Sequence, residues 1–286
     1  MNKTALLLTI ALSPLPLAAE PLQFNWQQTR ATVTETVTKN NTTVQMRYNI
    51  ELQPQKDGIF LLRYHDHELL SVNGQQAEQL KKMAFAMMLL APTPDLLVGT
   101  GGEPLDIPDW ENYYAKLLNL SETLSKQKDS TTLLQNPALS SALKLKSMQN
   151  PWCAWVCLWA NKDPKNLPPP TVYEEQVLGI PVDLNNSYQL LNSSENSITL
   201  RFYSTATIRR DKPLSDSSII QNAENRKAWH QPKELGNQTL KYSMITATLN
   251  RYSLQPQRVE LFTKQAKKQA PEGVEETTSI YEFKWD

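Results

Sequence analysis

Residues 44–52 read VQMRYNIEL, and apolar and polar side chains alternate through the whole stretch. A period of two over this length is typical of a β-strand that has one buried face and one face in water. The Thr- and Val-rich segment 31–37 precedes it across a turn that contains asparagines, residues suited to the positive φ of a tight hairpin. A polar turn over 53–58 then leads into a third strand over 59–70. The sequence therefore predicts that an antiparallel meander opens the folded part of the chain.

The C-terminal part of the chain has the same period. Apolar and polar residues alternate over 198–209, and further strands are predicted over 240–251 and 258–264. A last strand over 278–285 carries three aromatic side chains on one face, namely Tyr281, Phe283 and Trp285. The chain thus starts and ends in strands, which suit pairing into one antiparallel sheet.

Between the two sets of strands the apolar period changes to that of helices. Residues 76–90 predict a helix that is apolar nearly all round at its C-terminal end and too short to cross a membrane, so we expect it inside the fold. Further helices are predicted to begin near 106–109, at Pro137 and at Pro151. The order strands, helices, strands predicts an α+β fold, in which a long antiparallel sheet, curved like a half-barrel, surrounds a central helical segment.

Two features set the limits of the predicted domain. Residues 1–19 have a lysine, a short apolar run and two small residues ahead of Glu20, which is the three-part pattern of a cleavable secretory signal. We therefore expect cleavage near Ala19, a mature protein that is periplasmic or secreted, and no transmembrane span. The prolines within 167–170 mark either a rigid corner or a subdomain boundary. A single domain over 20–286 is expected, with division at those prolines as the alternative.

Composition argues against several classes of protein. The chain has 29 basic and 29 acidic residues, whereas a protein that binds nucleic acid or docks on an anionic membrane needs a positive field. Glycine is scarce, and the glycines at 99–102 lack the spacing of a dinucleotide fingerprint, so we interpret them as a turn. No phosphate-binding loop, G-x-S-x-G elbow or H-E-x-x-H motif occurs. We expect no cofactor and no enzymatic activity, and a hydrolase with an unfamiliar site is the last alternative.

Two groups of residues could carry chemistry, and each has a simpler interpretation. His65 and His67 lie two apart on a predicted strand, so they should share a face and could offer two ligands to zinc or copper. Asp66 should point the other way, and Arg63 on the histidine face would repel a cation. We therefore expect a solvated strand face and no metal site. The carboxylates within 103–111 lie near a helix start, where they interact favourably with the helix dipole.

The most distinctive stretch is PWCAWVCLW, residues 151–159. As a helix it places three indoles along one side, those of Trp152, Trp155 and Trp159. They predict either a core helix under the sheet or an aromatic wall for an apolar or sugar ligand, or for a partner protein. In the second interpretation Met83 and Met87 of the apolar helix are further lining residues.

The two cysteines of the chain, Cys153 and Cys157, lie in the same stretch. An even number of cysteines in an exported protein predicts a disulfide. Four residues apart on a helix, their Cα atoms would be about 6 Å apart, near the upper end of the range that a disulfide allows. We therefore predict a disulfide that needs local distortion of the helix, with a pair of buried free thiols as the alternative.

In outline, a signal peptide followed by long antiparallel strands and apolar helices is similar to the periplasmic half-barrel carriers of lipoproteins and lipids. The resemblance lies in the architecture, without a shared motif, so it implies an apolar cavity between sheet and helices and assigns no residue. The predicted function is that of a non-catalytic envelope protein that binds an apolar small molecule, a lipid or a protein partner. A structural or assembly protein without a ligand pocket is the alternative.

Overall fold

The computed structural model describes residues 21–39, 41–76, 93–125, 137–177, 180–208, 239–266 and 274–286. The signal peptide predicted over 1–19 lies outside these ranges. Residues 77–90 of the predicted apolar helix, with Met83 and Met87, also lie outside them. No helix within the described ranges is long and apolar enough to cross a membrane.

Strands dominate the described chain. The N-terminal strands are β1 (Arg30–Lys39), β2 (Thr42–Pro54), β3 (Phe60–Val72), β4 (Gln75–Gln76), β5 (Leu96–Val98) and β6 (Pro104–Asp106). The C-terminal strands are β7 (Thr171–Val177), β8 (Ile180–Ser193), β9 (Ser197–Ile208), β10 (Thr239–Asn250), β11 (Pro256–Ala266) and β12 (Val274–Trp285). Between them lie α1 (Trp110–Ser125), α2 (Pro137–Gln149) and a π-helix at Cys153–Cys157, and a single 3-10 turn at Lys56–Gly58 joins β2 to β3.

All these strands belong to one antiparallel sheet. Its order is β6-β5-β3-β2-β1-β12-β11-β10-β9-β8-β7, with β4 attached to β3. Because β1 pairs with β12, the N-terminal and C-terminal strands meet in the middle of the sheet. Among the described residues β6 and β7 end the sheet, which is not closed into a barrel. The predicted long antiparallel sheet is confirmed, whereas the helical segment is a smaller part of the described fold than the α+β prediction implied.

One face of the sheet, which we call the inner face, carries the core. On β2 the whole apolar set of the alternating stretch is buried there, namely Val44, Met46, Tyr48, Ile50 and Leu52. The π-helix lies against this face over β10 and β11. The polar residues that alternate with this apolar set on β2 point outward. One of them, Arg47, forms an ion pair with Glu68 of β3. The alternation in the sequence therefore predicted both the strand and its buried face.

A β-bulge in β3 changes which residues point inward. Asp66 has a positive φ of 55°, and the pairing of β3 with β2 shifts register beside it. The extra residue moves His67 to the inner face, where its ring stacks on Tyr48 with 5.3 Å between centroids. His65 stays exposed on the outer face. The prediction that the two histidines share a face is therefore wrong, because a bulge breaks the period of two.

Candidate functional site

The helix against the inner face is wound as a π-helix. Its N–H of Leu158 donates to the carbonyl of Cys153, five residues earlier, at 3.1 Å. The turn between β5 and β6 supports it closely: Gly102 has a φ of +83°, and a Cβ there would lie 2.7 Å from Val156 Cγ1. The glycines at 99–102 thus form a turn, as predicted, and a side chain at Gly102 would push the helix away. π-turns are rare and often occur at functional sites.

The three tryptophans predicted as lining residues lie in the core. Trp152 packs on the N-terminal segment, Trp155 reaches β3 and β12, and Trp159 reaches β8. They therefore fan out to three parts of the fold, because a π-turn holds more residues than an α-helical turn and the i, i+3, i+7 positions no longer align. All three indoles are fully buried, in agreement with the core-helix interpretation. Their role in lining a ligand stays a prediction.

The structure corrects the disulfide prediction, since Cys153 and Cys157 are free thiols. The helix keeps its regular hydrogen bond, and closing a disulfide at this spacing would distort it. The thiols contact each other instead. A hydrogen bond from Cys157 lowers the pKa of the Cys153 thiol, and the same bond, followed by burial, raises the pKa of Cys157. The Cys157 Sγ also lies 3.7 Å from the carbonyl oxygen of Gly102.

A polar network, which the sequence analysis missed, lies beside Trp155 on the inner face. Its centre is Glu35 in the middle of β1, opposite Met46 of β2 and Tyr281 of β12. The phenols of Tyr281 and Tyr48 both donate hydrogen bonds to the Glu35 carboxylate. Both tyrosines are buried, so these two bonds are shielded from water. We call these three residues the Glu35 network.

Burial dominates the electrostatics of Glu35. Its side chain keeps partial exposure, yet the surrounding protein raises its pKa from 4.5 to about 7, against the lowering effect of the two phenol hydrogen bonds. Among the described residues Glu35 takes part in no ion pair; Lys39, on the same face of β1, pairs with Glu275 at 2.8 Å. A carboxylate in such surroundings ionises only at a cost unless a positive charge joins it.

Aromatic rings enclose the network. The ring centroid of Tyr64 lies 6.0 Å from that of Tyr48 and 6.1 Å from that of Trp155. Trp155 in turn lies 5.4 Å from Tyr281. His67, stacked on Tyr48, has a buried Nε2 without a hydrogen-bond partner in the described part of the chain, and burial lowers its pKa. The Glu35 network can therefore accept hydrogen bonds and hold a positive charge at a place where the surrounding aromatic surfaces reduce the access of water.

The sequence did contain a signal for this site. Glu35 occupies the inward phase of β1, which it shares with Ala31, Val33 and Val37, while threonines fill the outward phase. An acidic residue in an apolar phase is unusual, because burying a charge without a partner is costly. The carboxylates within 103–111, which the sequence analysis considered, lie at a helix start and are a weaker signal than one carboxylate out of phase.

The other predicted groups have structural roles. Asp106 pairs with Lys144 of α2 at 2.7 Å, and the main-chain carbonyl of Asp109 accepts from Tyr113 N–H in the first turn of α1. Within the described ranges no three His, Cys, Asp or Glu side chains are gathered so that they could hold a metal ion.

No protein-family model and no curated protein matches this chain. Among solved structures, the chain is similar to lipovitellin, in a structure that concerns its lipid–protein interactions, with a TM-score of 0.42 and 8% sequence identity. The alignment covers 90% of this chain and 25% of that chain, so this chain spans about a quarter of the length of its structural neighbour.

Proposed function

We propose that this chain is an exported, non-catalytic protein that binds an apolar ligand on the inner face of its sheet. The observation that carries the proposal is that the buried apolar residues of that face fall into separate clusters. Among the described residues, the core around the π-helix is separate from two further apolar clusters. Apolar surface of this kind, interrupted by a few polar groups, is what a small apolar molecule requires.

Both clusters lie on the inner face, and in the strand order they stand on either side of the Glu35 network. One belongs to β2 and β3 and consists of Val44, Met46, Val72 and Leu69. The other belongs to β8, β9 and β10 and consists of Val182, Ala206 and Leu240, with Leu184 and Ile208 packed against them. Leu69, Leu184 and Ile208 are only partly buried, so apolar surface remains accessible in both clusters. A ligand that covered both would gain about 25 cal/mol per Å² of apolar surface removed from water.

Contacts of the π-helix support a sheet that curves around the ligand site. β3 and β8 are seven strands apart, which is about 34 Å in a flat sheet at about 4.8 Å per strand. Yet Trp155 contacts Tyr64 of β3, and Trp159, two residues after the helix ends, contacts Tyr188 of β8. Such contacts are simplest if the sheet bends toward the helix, as in the predicted half-barrel. A concave face would shield a bound apolar molecule from water.

Native mass spectrometry of the mature protein, purified from the cell envelope before and after organic extraction, tests this function. We expect a co-purifying mass that extraction removes. Leu69→Gln should lower the bound fraction because it places an amide in the apolar cluster, whereas Thr36→Gln on the outward phase of β1 should leave it unchanged. A bare protein mass from the native source, with no uptake of an added apolar probe such as N-phenyl-1-naphthylamine, contradicts the proposal.

A second function, assembly with a protein partner, is favoured by the free edge of the sheet. β7 pairs only with β8 among the described residues and exposes 63% of Val172 and 54% of Tyr173. Beyond its pairing with β7, β8 exposes Leu190 and Leu191. An open edge with apolar side chains is suited to the addition of an extended strand from another protein.

Site-specific photo-crosslinking separates this function from ligand binding. A photoreactive residue at Val172 should give one discrete adduct in the intact envelope, and the same residue at the exposed position of Tyr252, away from the edge, should not. Equal labelling from both positions would contradict assembly through β7.

A further inference from the structure

The hydrogen bonds of Glu35 are incomplete among its described neighbours. An ionised carboxylate offers about four acceptor sites, and the phenols of Tyr48 and Tyr281 occupy two of them. Both donors are neutral, so they do not compensate the negative charge. The Glu35 residue as a whole keeps partial exposure on the inner face.

We propose that the Glu35 network takes the positively charged head of an amphipathic ligand, an amine or quaternary ammonium group that pairs with the Glu35 carboxylate. This inference rests on the proposed function, since the apolar clusters on either side would hold the rest of the ligand. A cation supplies the compensating charge that the described chain does not provide at this place. The surrounding aromatic rings reduce access of water and thereby strengthen the attraction between the two charges.

A neighbouring cavity has a composition that suits the same class of ligand. It has a volume of about 190 Å³ and adjoins Tyr64, which also belongs to the ring enclosure of the network. Its charged lining residues are Asp95, Asp109 and Lys116, and Tyr113 adds a second aromatic surface. Asp95 also forms an ion pair with Arg63 at 3.5 Å, so the charges around the cavity balance, and the rings of Tyr64 and Tyr113 are the feature that suits a cation.

The test compares amphiphiles that share one chain and differ in the head. Dodecyltrimethylammonium, dodecanoate and dodecyl maltoside, each below its micelle concentration, compete with N-phenyl-1-naphthylamine for the mature protein at pH 7.5. We expect the cationic probe to compete at about tenfold lower concentration than the anionic probe. Glu35→Gln should abolish this preference while the neutral maltoside still competes.

Glu282→Gln is the matched control. Glu282 lies on β12 next to Thr34 of β1, on the outer face, where it pairs with Arg258 at 2.7 Å. The substitution Glu282→Gln removes the same charge from the same region of the sheet, and the variant should keep the preference for the cationic probe. Equal competition by cation and anion in the natural protein, or a preference that survives Glu35→Gln, overturns the inference and leaves the proposed function standing. Failure of all three amphiphiles contradicts both.

Proton release gives a readout that does not depend on a variant. Burial holds the pKa of Glu35 near 7. A bound cation should lower this pKa, so binding at pH 6.5–7 should release a fraction of one proton per protein molecule. The other titratable groups that face the site are Tyr48, Tyr64 and Tyr281, whose pKa values are raised, and His67, whose pKa is lowered. The raised pKa values keep the three tyrosines protonated in this interval, and the lowered pKa of His67 leaves its imidazole mostly neutral at pH 7. Lys39, on the same face of β1, is paired with Glu275, so Glu35 is the main source of a released proton. Calorimetry in two buffers of different ionisation enthalpy should detect the release for the cation, and its absence overturns the inference.

Discussion

At the scale of single residues, Glu35 gives the protein a stability that falls as the pH rises. Its pKa is about 7 in the folded chain and 4.5 as the ordinary value. Between these values the unfolded chain has lost the proton that the folded chain still holds, so the free energy of unfolding decreases from pH 4.5 to pH 7. The shift corresponds to at most about 3 kcal/mol. Glu35→Gln cannot ionise and should flatten this slope, which urea unfolding at several pH values would measure.

His67 acts in the opposite direction and provides the control. Its pKa is lowered by burial, so its contribution to stability is present above its unfolded pKa of 6.5 and is lost as the pH falls below that value. His67→Gln should therefore steepen the decrease of stability with rising pH, while Glu35→Gln removes it. Parallel pH profiles for the natural protein and Glu35→Gln would show that Glu35 is ionised normally and is not held in a water-poor site.

The two thiols should differ in reactivity although they share one helix. The hydrogen bond from Cys157 favours the thiolate of Cys153, and thiolates are the form that alkylating reagents attack. Under reducing conditions, iodoacetamide at pH 8 should therefore modify Cys153 first, and peptide mass spectrometry would locate the label. Cys157→Ser keeps a donor and should preserve much of this preference, whereas Cys157→Ala should slow the labelling of Cys153. Faster labelling of Cys157 would contradict the assigned direction of the bond.

Residue-scale details divide into those with a sequence signal and those without. Glu35 lies in the apolar phase of its strand, and that phase could have identified it. The inward position of His67 has a weaker signal, because the apolar phase of β3 moves from Tyr64 to Leu69, a spacing that a regular strand does not allow. The free state of Cys153 has no signal at all, since spacing alone permits a strained disulfide.

At the scale of elements, the π-helix fixes the centre of the core. Trp155 is fully buried and contacts rings on two strands. Trp155→Ala should lower the free energy of unfolding by about 3–5 kcal/mol, the usual cost of removing a large buried ring. Tyr252→Ala, at an exposed ring, should change it by less than about 0.5 kcal/mol. Urea unfolding followed by circular dichroism measures both, and similar losses for the two variants would contradict a core role for the helix.

Strands were predictable where most residues of one face are apolar, as on β2 and β9. The β7–β8 hairpin was missed although Val182, Leu184, Tyr188 and Leu190 alternate as a strand requires. Asn185 and Asn186 interrupt the pattern, and asparagine pairs are a strong signal for a turn. In the structure these asparagines pair with β9 in the ladder, so tertiary pairing overrides their local preference.

At the scale of the whole molecule, the alternation of residues determines which face of a strand is buried and says nothing about its neighbours. The sequence therefore predicted strands at both ends of the chain and one antiparallel sheet. It could not predict that β1 lies between β2 and β12, because that pairing joins residues far apart in the chain. The position of Glu35 near the middle of the sheet follows from this pairing, and so does its enclosure by tyrosines from two different strands.

The same pairing predicts that both ends of the chain unfold together, as one domain over 20–286. Ile280 lies in the middle of β12, between Thr36 of β1 and Glu260 of β11. Proline at this position removes a ladder hydrogen bond from an internal strand. Ile280→Pro should therefore increase hydrogen exchange in β1 and β2 as well as in β10 and β11. Thr171→Pro, at the start of the edge strand β7, should increase exchange in β7 alone, because an edge tolerates proline. Loss of protection confined to residues after 170 in Ile280→Pro would instead favour two subdomains that divide at the prolines.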